Sequence, residues 1–398
     1  MKVCFDTFGC RLNRAEALAL EAGFLARGWT TTDNHADANL IVVRGCSVTA
    51  RAQRDCEKLI AHLREKYPMK RLVVTGCLKE RRNERLLRDV QPATAVRTAR
   101  AYLKVQDGCN GACAFCIVPQ FRGKSAAVDF DEVLGNARRF LDAGYREIVV
   151  TGCNLSQYLS QGKRLPELLA ALAELDGGAG FRVRLGSLEP SPVARETIRA
   201  AAAHANVCRY LHIPVQSGSD RILGAMRRPY LTRDVTALVH EAERLMPGLG
   251  LGCDVLTGFP DEMDYDFLAT QMLLTRLKFN RFHVFPFSER PGTVAAQLPH
   301  PVPREIRRAH AHEIAAQGDA ARTQFVNGFK GRTVAIVVED EKRLAGWTSE
   351  YVWCEVGEER AKGYVNARGP GARPIRRRDL VEIRVREANG HVLVGDPV

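Results

Sequence analysis

Two sets of three cysteines carry the most informative chemistry in this sequence. One set is compact, with Cys-x3-Cys-x2-Cys spacing inside eight residues, and in the other each cysteine follows a separate apolar run. The compact set is Cys109, Cys113 and Cys116, and the dispersed set is Cys10, Cys46 and Cys77. Three thiolates are one fewer than a structural zinc site or a fully ligated iron–sulfur cubane needs. Each set therefore predicts a 4Fe–4S cluster with one iron open to chemistry, and together they predict an enzyme with two reactive clusters.

The loop that carries the compact set is suited to S-adenosylmethionine (SAM). The amino and carboxylate groups of SAM can ligate an open iron, and electron transfer can then cleave the adjacent sulfonium. Phe115 lies between the last two cysteines, where it can shield a cluster or serve as an ordinary buried aromatic. A zinc site would require a fourth ligand, and no His or Cys follows Cys116 closely. The spacing therefore favours a cluster over zinc.

The dispersed cysteines lie at the ends of three predicted parallel strands. Apolar runs at 2–8, 39–45 and 71–76 are each followed by a charged, helix-like segment, which is typical of strands covered by helices. Each cysteine of the dispersed set comes just past one of these runs. Ligands bind at that edge of an open α/β sheet, and helix N-termini favour thiolates. We therefore expect these cysteines to share one site.

Residues from about 100 to 325 repeat the strand–helix alternation six times. The predicted strands are 101–107, 146–152, 181–187, 210–216, 250–258 and 281–287. With no obvious seventh or eighth unit, the pattern predicts a partial (β/α)6 barrel that is open on one side. Its site is expected at the carboxyl ends of the strands, where the compact cysteine set follows the first strand.

After residue 326 the pattern changes to short runs that alternate apolar and polar residues. The predicted strands are 333–338, 350–356, 380–386 and 391–394, with Asn389-Gly390 as a hairpin signal between the last two. These runs predict a small β-barrel. The predicted fold class is therefore α/β, with an N-terminal open parallel α/β domain at 1–95, the partial barrel at 96–325 and the terminal barrel at 326–398.

Composition and charge limit the class of protein. The chain has 398 residues, 12 cysteines and a formal net charge of +12. It lacks the ~18–20 apolar residues that a membrane span needs, and its start lacks the apolar core of a signal peptide. Cysteines in a chain without an export signal indicate metal ligation in a reducing cytoplasm rather than disulfides. Residues 51–88 carry 12 basic against 5 acidic side chains, which predicts a nucleic-acid partner, although two solvated Arg-rich helices would look the same.

Seven stretches, in order along nearly the whole chain, resemble one enzyme family. They are Thr7-Phe-Gly-Cys10-Arg-Leu-Asn13, Cys46-Ser-Val-Thr49, Val74-Thr-Gly-Cys77, Val105-Gln-Asp-Gly-Cys109, His212-Ile-Pro-Val-Gln-Ser-Gly-Ser-Asp220, Asp254-Val-Leu-Thr-Gly-Phe-Pro260 and Phe287-Ser-Glu-Arg-Pro-Gly-Thr293. The compact cysteine loop is similar to that of the radical-SAM superfamily. More narrowly, the chain resembles the methylthiotransferases that install a methylthio group on tRNA or on a ribosomal protein.

This resemblance implies cofactors and partners. The compact cysteine set would bind a 4Fe–4S cluster together with SAM, and the dispersed set would bind an auxiliary 4Fe–4S cluster that carries the sulfur to be inserted. The terminal barrel would be an RNA-binding module of the TRAM type. The implied partners are tRNA, SAM, an electron donor and a sulfur source, with no membrane.

The substrate is less narrowly specified. Residues 9–16, Gly-Cys-Arg-Leu-Asn-x-x-Glu, look more like the branch that acts on threonylcarbamoyladenosine beside the tRNA anticodon than the isopentenyladenosine branch. The basic residues at 51–88 favour tRNA over the ribosomal-protein branch, whose substrate is an aspartate. An alternative of another class is a non-catalytic iron–sulfur or zinc protein that binds RNA.

Four polar residues at predicted strand ends are candidate SAM contacts. They are Asn154, Ser187, Glu189 and Gln216. Asn154 would be equally at home in a turn, and Glu189 at a solvated surface. Because His212 lies four residues before Gln216 on one predicted strand, alternation places both side chains on the same face, and we expect that face to line the barrel interior.

Three features depart from the family pattern. Arg44-Gly45 stands where Asn-Thr is common, Asp261 stands where Gly is common, and only 31 residues separate Cys77 from Cys109. We expect altered hydrogen bonding near the second dispersed cysteine, an altered turn near SAM and a shortened link between the first two domains.

Overall fold

The N-terminal part of the chain forms a parallel sheet covered by helices. The computed structural model describes residues 1–78, 87, 98–361, 365–366 and 373–398. The elements of this part are β1 (Lys2–Thr7), α1 (Arg11–Ala26), β2 (Thr30–Thr31), β3 (Leu40–Gly45), α2 (Ala50–Lys66) and β4 (Arg71–Gly76). The strand order is β2-β1-β3-β4, and every pair is parallel. The open parallel α/β fold predicted for this part is confirmed, with the short β2 added; the predicted boundary between 95 and 96 lies outside the described residues.

The central part alternates strands and helices. Its strands are β5 (Ala101–Lys104), β6 (Gln106–Asp107), β7 (Ala126–Ala127), β8 (Glu147–Thr151), β9 (Leu159–Ser160), β10 (Lys163–Arg164), β11 (Arg182–Arg184), β12 (Tyr210–Gln216), β13 (Gly250–Thr257) and β14 (Arg281–Pro286). Its helices are α3 (Val118–Arg122), α4 (Phe130–Asp142), α5 (Leu165–Ala173), α6 (Pro192–Ala203), α7 (Asp220–Ala225), α8 (Thr232–Leu245), α9 (Asp264–Arg276) and α10 (Arg304–Asn327).

Six of these strands form an open arc. β11-β8-β5 is one parallel sheet and β12-β13-β14 is another. Two isolated parallel bridges, Val183 to Val207 and Ser187 to His212, join the sheets. No pairing between β5 and β14 is present in the described part of the chain. The predicted partial barrel is therefore confirmed, with its opening between the first and last strands.

The predicted strand at 181–187 is shorter in the structure, where β11 ends at Arg184. Beyond its end the chain still runs close to β8, since a Cβ on Gly186 would lie 2.9 Å from the carbonyl oxygen of Val150. The first predicted strand, at 101–107, is also interrupted, and β5 and β6 pair with different neighbours. Each interruption leaves a non-strand segment at the carboxyl edge of the barrel.

The terminal part contains a closed five-stranded barrel. Its elements are β15 (Thr333–Asp340), β16 (Ala345–Thr348), β17 (Trp353–Glu355), α11 (Glu358–Ala361), β18 (Val365–Asn366), β19 (Arg373–Pro374), β20 (Leu380–Asn389) and β21 (Val392–Pro397). The barrel order is β15-β16-β17-β21-β20. Asn389 pairs with Val392, which confirms the predicted hairpin between β20 and β21. β16 was not predicted, since Ala345 and Gly346 give it little β-propensity.

The terminal barrel packs against the amino-terminal ends of the central strands. The guanidinium of Arg182 donates to the carbonyl oxygens of Ala335 and Trp347, and that of Arg184 donates to those of Thr348 and Ser349. The carboxyl ends of the strands, at the other side of the central barrel, remain available for a site. No helix among the described residues has both the length and the apolar character to cross a membrane.

Candidate functional site

The dispersed cysteines meet at the carboxyl edge of the N-terminal sheet. Cys10 follows β1 and precedes α1, Cys46 follows β3, and Cys77 follows β4. The turn before Cys10 approaches β3 so closely that a Cβ on Gly9, whose φ is +92°, would lie 2.5 Å from the Sγ of Cys46. Burial raises the pKa of Cys46, and the charges of Cys10 and Cys77 raise it further because like charges repel. The structure thus brings the three predicted ligands together.

The compact cysteines lie in the loop between β6 and α3. The backbone N–H of Gly111 donates to the Sγ of Cys109 at 3.2 Å, and the Nη1 of Arg228 donates to the Sγ of Cys113 at 2.9 Å. Burial, together with the charges of the neighbouring thiols, raises the pKa of Cys116 to about 11. A bound metal would keep such buried thiols deprotonated, and the N–H donors would then stabilise the anionic sulfurs.

Neither cysteine set is spaced for a single metal ion. In a tetrahedral zinc site, sulfur ligands about 2.3 Å from the metal lie about 3.8 Å apart. Two groups of three His, Cys, Asp or Glu side chains have ligand atoms within 4.8 Å of one another in the described part of the chain, and neither contains a member of either set. Cysteine thiolates are the ligands by which proteins hold iron–sulfur clusters. The donor atoms present therefore fit the 4Fe–4S groups that the sequence predicts.

Arg122, at the end of α3, connects the two cysteine sets. Its Nε donates to the Sγ of Cys77 at 3.0 Å, and its Nη2 donates to the Oδ1 of Asn13 at 2.7 Å. Its Nη1 donates to the Oδ1 of Asp107 at 2.8 Å, two residues before the compact set. Burial alone would raise the pKa of Asp107, but Lys104 and Arg122 lower it well below its usual range. The pair of Asp107 and Arg122 is thus charged and joins the compact loop to the N-terminal sheet.

Asn13 explains part of the motif at residues 9–16. Its side chain is fully buried, and its Nδ2 donates to the carbonyl oxygens of Phe8 and Gly45 at 3.0 and 2.8 Å. These carbonyls belong to the segments that precede Cys10 and Cys46. Asn13 therefore fixes the relative position of two ligand-bearing loops.

Glu16 explains the end of the same motif. Its carboxylate pairs with Arg44, with Lys104 at 2.6 Å and with Arg122 at 3.1 Å. Burial alone would raise the pKa of Glu16, but these cations lower it, led by Arg44. Arg44, which departs from the family pattern and lies two residues before Cys46, is thus paired with a carboxylate on α1.

Two of the candidate SAM contacts lie beside the compact cysteines. The Nδ2 of Asn154 donates to the Oε2 of Glu189 at 2.8 Å, and the Oε1 of Glu189 is 3.5 Å from the Nη2 of Arg228. Arg228 in turn donates to Cys113. These contacts hold Asn154 and Glu189 in one polar network that ends on a predicted cluster ligand.

The other two candidates lie apart from that network. Ser187 bridges to His212 through the backbone and lines the central cavity. Gln216 has φ of +65°, and the register of β12 and β13 shifts between Ile213 and Gln216. The simple alternation expected from His212 to Gln216 is therefore broken, and Gln216 is not among the residues that line the cavity.

A central cavity of about 520 Å³ lies between the N-terminal sheet and the partial barrel. Cys10, Arg11 and Cys46 form its wall on the N-terminal side. On the barrel side it is lined by Thr151, Gly152, Gly186, Ser187, His212, Asp254, His283 and Phe285. Two of the three dispersed thiols therefore face the same space as the carboxyl ends of the barrel strands.

Three side chains of this wall form a hydrogen-bonded group. The Oδ1 of Asp254 is 2.9 Å from the Nε2 of His212 and 3.3 Å from the Nδ1 of His283, and the hydroxyl of Tyr210 is 3.1 Å from the Nδ1 of His212. Burial alone would raise the pKa of Asp254, but the two histidines hold it well below its usual range. Burial lowers the pKa of His212 although Asp254 opposes this effect. The group therefore presents a fixed, polar surface to the cavity.

Four residues near the cysteines and the cavity were not predicted from the sequence as site residues: Arg122, Arg228, Asp254 and His283. Asp254 lies in one of the recognised stretches and in the middle of a predicted strand, so that signal was present. His283 could have been found from its place on the last predicted strand. Arg122 and Arg228 follow no strand, and only the packing of their loops places them beside the cysteines.

Two family descriptions match this chain. Residues 2–97 match the family described as "Uncharacterized protein family UPF0004", and residues 103–274 match the radical SAM superfamily. The first match covers the dispersed cysteines and the second covers the compact set.

Full-length relatives and solved structures agree with these matches. The threonylcarbamoyladenosine tRNA methylthiotransferase MtaB of Bacillus subtilis is 28% identical, with 88% of this chain and 89% of the relative covered. The tRNA-2-methylthio-N(6)-dimethylallyladenosine synthase of Cereibacter sphaeroides is 29% identical, with 100% and 98% covered. The radical S-adenosylmethionine methyltransferase TsrM of Kitasatospora setae, solved with tryptophan and a SAM analogue, has a TM-score of 0.54 at 14% identity, with 74% and 75% covered, and shows the shared fold.

Proposed function

Because this chain belongs to the radical-SAM methylthiotransferase family, we propose that it adds a methylthio group to carbon 2 of threonylcarbamoyladenosine, next to the tRNA anticodon at position 37. Residues 1–95 would carry the auxiliary cluster, residues 96–325 would bind the SAM cluster, and residues 326–398 would bind RNA. A tRNA substrate and clusters that need reduced thiols support a cytoplasmic location.

One observation carries the proposal: two of the three dispersed thiols and the barrel strand ends share a single cavity. Sulfur insertion requires that the sulfur source and the substrate carbon lie in one enclosed space. Cys10 and Cys46 line that space on one side, and Ser187, His212 and Asp254 line it on the other. The volume of about 520 Å³ is in the range that holds a nucleoside-sized group.

The cofactors supply the difficult chemistry and the protein positions them. When bound, the cluster of the compact set with SAM supplies a deoxyadenosyl radical, and the auxiliary cluster supplies the sulfur. Cys109, Cys113 and Cys116 would hold the first. Arg228 donates to Cys113, and Phe115 packs beside the apolar cluster that includes Phe259 and Phe287, where it excludes water.

The protein groups around the dispersed set have matching roles. Cys10, Cys46 and Cys77 would hold the auxiliary cluster, and Arg122 donates to the Sγ of Cys77. A hydrogen bond to a ligand sulfur tunes the reduction potential of an iron–sulfur cluster. Asn13 fixes the two loops that carry the first two ligands. An external electron donor and a sulfur source complete the reaction.

The cavity wall supports threonylcarbamoyladenosine as the substrate. Its threonyl group carries a carboxylate, whereas an isopentenyl group is apolar. Arg11 lines the cavity and its Nη2 lies 3.3 Å from the hydroxyl of Tyr351, and His283 lines the cavity beside Asp254. A guanidinium and an imidazole suit a carboxylate better than a hydrocarbon.

The surface of α2 supports an RNA partner. The basic residues on its exposed side are Arg51, Arg54, Lys58, Arg64 and Lys66. Thr49 caps this helix by accepting from the backbone N–H of Ala52, next to the loop that carries Cys46. The helix can therefore guide a polyanion toward the cavity. The remaining part of the predicted basic stretch, at 79–86 and 88, lies outside the described residues.

Two cysteine variants test whether the compact set serves SAM cleavage and the dispersed set serves sulfur insertion. In anaerobically reconstituted enzyme, Cys113→Ala should abolish deoxyadenosine formation from SAM. Cys46→Ala should retain it but form no methylthio product on tRNA that carries threonylcarbamoyladenosine. Iron counting should give about eight irons per wild-type chain and about four in each fully depleted variant. Equal loss of SAM cleavage in both folded variants would contradict the proposal.

The substrate is tested separately. Wild-type enzyme is assayed on tRNA that carries threonylcarbamoyladenosine, on tRNA that carries isopentenyladenosine and on ribosomal protein. We expect product on the first alone. Product on the isopentenyl substrate or on protein aspartate would identify a different branch of the same family.

A further inference from the structure

A second pocket lies at the seam between the central and terminal barrels. It has a volume of about 370 Å³ and is bounded by the start of β14, by α10 and by the strands of the terminal barrel. We call it the seam pocket and define it by Arg281, Arg322, Trp347, Trp353 and His391. The proposed catalytic cavity does not use these residues.

Two guanidiniums of the seam pocket have no carboxylate counter-ion in the described part of the chain. Arg322 is 6% exposed, and its Nη2 donates to the carbonyl oxygen of Tyr351 at 2.7 Å. Arg281 reaches the same oxygen at 3.5 Å. Among the described residues, the Nη1 of Arg322 and the Nε of Arg281 are buried without a hydrogen-bond partner, and no carboxylate oxygen lies within 4 Å of either side chain.

Such an arrangement is unfavourable without an anion. Burial and the charge of Arg281 together lower the pKa of Arg322 to about 10. A buried cation that lacks a partner costs free energy because it has lost its hydration. Asp319 lines the pocket, but its side chain is 76% exposed and lies nearest to His391. The pocket therefore has unmet capacity for an anionic group.

The aromatic residues of the pocket indicate what kind of anion fits. Trp347 stacks on Tyr351 with ring centroids 4.7 Å apart, and Trp353 meets Trp347 edge to face at 5.2 Å. Arg281 lies 5.2 Å from the Trp347 ring centroid. Arginines beside aromatic rings are typical of sites for unpaired ribonucleotides, in which the base stacks and the phosphate pairs with the cation.

The seam pocket is also close to the proposed catalytic cavity. His283, on β14, lines both spaces. An RNA strand that places one nucleotide in the catalytic cavity can therefore place a near neighbour in the seam pocket.

Resting on the proposed tRNA substrate, we propose that the seam pocket binds one unpaired ribonucleotide of the substrate RNA. Its phosphate pairs with Arg281 and Arg322, and its base stacks on Trp353. The contact holds the RNA beside the modified nucleotide and takes no part in the chemistry.

Tryptophan fluorescence tests the stacking directly. The chain has three tryptophans, and Trp29→Phe leaves only the two of the seam pocket. In reconstituted Trp29→Phe enzyme, an anticodon stem-loop RNA should quench the indole emission. The additional change Trp353→Phe should remove most of the quenching. Inorganic phosphate that quenches as strongly as the RNA would show an anion site alone, and no quenching by RNA would overturn the proposal.

RNA affinity tests the energetic contribution. Trp353→Ala should weaken tRNA binding about tenfold, the loss expected for one stacked base. Arg322→Met should weaken binding and reduce the salt slope of log Kd by about one. Because Arg322 is a buried cation with no carboxylate partner among the described residues, its removal should leave the Tm unchanged or raise it. A lowered Tm in Arg322→Met would assign that residue a structural role. The tRNA affinity of Trp353→Ala would then decide whether the seam pocket binds RNA.

A matched control distinguishes a specific effect of the seam pocket on RNA binding from the general effect of positive charge. Arg308 lies exposed on the same helix, α10, outside the pocket. Arg308→Met should change tRNA binding less than Arg322→Met. Equal effects of the two, or normal affinity in folded Trp353→Ala, would overturn the inference. Failure of the proposed function is distinguishable, since the enzyme would then form no methylthio product although its RNA binding still depended on Trp353.

Discussion

At the scale of single residues, Arg122 contacts groups beside both cysteine sets. It is 8% exposed at its side chain, and it touches a thiol, an amide and two carboxylates. These partners come from α1, from the loop after β4 and from the strand before the compact loop. A change at Arg122 should therefore alter the auxiliary site without removing any ligand.

We predict that Arg122→Met impairs sulfur insertion more than SAM cleavage. The thiol of Cys77 loses its N–H donor, and Glu16 and Asp107 lose a buried counter-ion. Changes to groups that support metal ligands commonly reduce activity about 10- to 100-fold. The measurement is the ratio of methylthio product to deoxyadenosine in reconstituted enzyme. Lys124→Met, an exposed charge two residues away, is the control, and an equal effect of both changes would exclude a specific role.

Glu262 gives a prediction about pH. Burial raises its pKa from 4.5 to about 7, although it accepts a hydrogen bond from the backbone N–H of Gly258. Between these two values the unfolded chain has lost the proton and the folded chain still holds it. The contribution of Glu262 to the free energy of unfolding therefore falls as the pH rises from 4.5 to about 7, and it does not change at higher pH. The total change is at most about 3 kcal/mol.

Glu262→Gln should flatten this part of the stability profile. The amide keeps the size of the protonated acid and cannot ionise. The measurement is the Tm of wild type and variant between pH 5 and about 8. Wild type should lose more Tm than the variant over that window, and parallel curves would show that Glu262 is not the titrating group.

At the scale of elements, the turn between β1 and α1 depends on one glycine. Gly9 has a positive φ, and its Cα faces the side chain of Cys46 with no room for a methyl group. A non-glycine residue would push the loop of Cys10 away from Cys46. Gly28 also has a positive φ, at +78°, but a Cβ there would meet nothing within 4 Å.

We predict that Gly9→Ala loses the auxiliary iron, whereas Gly28→Ala keeps it. Both changes carry the strain of a left-handed backbone, so only the contact with Cys46 distinguishes them. Iron counting after reconstitution should fall from about eight to about four per chain in Gly9→Ala. Retention of SAM cleavage would show that the compact set is intact. Equal iron loss in the two variants would attribute the effect to strain alone.

The sequence predicted these elements where local pattern decides them. Continuous apolar runs placed β1, β3 and β4, and the cysteines directly after them fell at one sheet edge. β16 was missed because its pairing depends on neighbours rather than on its own residues. Arg122 and Arg228 were missed because loop packing, which has no local signal, brings them to the thiols. Asn13 and Glu16 are an intermediate case. The sequence identified the motif that contains them, but only the structure shows which groups their side chains bind.

At the scale of the whole molecule, Glu147 joins the central and terminal parts. Its carboxylate is fully buried and accepts from the Nε of Arg182 and of Arg184, both at 2.7 Å. The same two arginines donate to carbonyl oxygens of the terminal barrel. The order of the three parts was predictable from the sequence, but this docking was not, because it depends on charges buried at the starts of two strands.

We predict that Glu147→Gln loosens the terminal barrel from the central one. Burial alone would raise the pKa of Glu147, but Arg184 and Arg182 hold it well below its usual range, so the carboxylate is charged. The amide would leave these buried cations without a counter-ion, and breaking a buried pair in this way costs about 3–5 kcal/mol. Limited proteolysis should then release a fragment that begins near residue 328, after α10. Glu174→Gln, whose side chain is 70% exposed, should leave the cleavage pattern of wild type, and an unchanged pattern in Glu147→Gln would mean that other contacts hold the two barrels together.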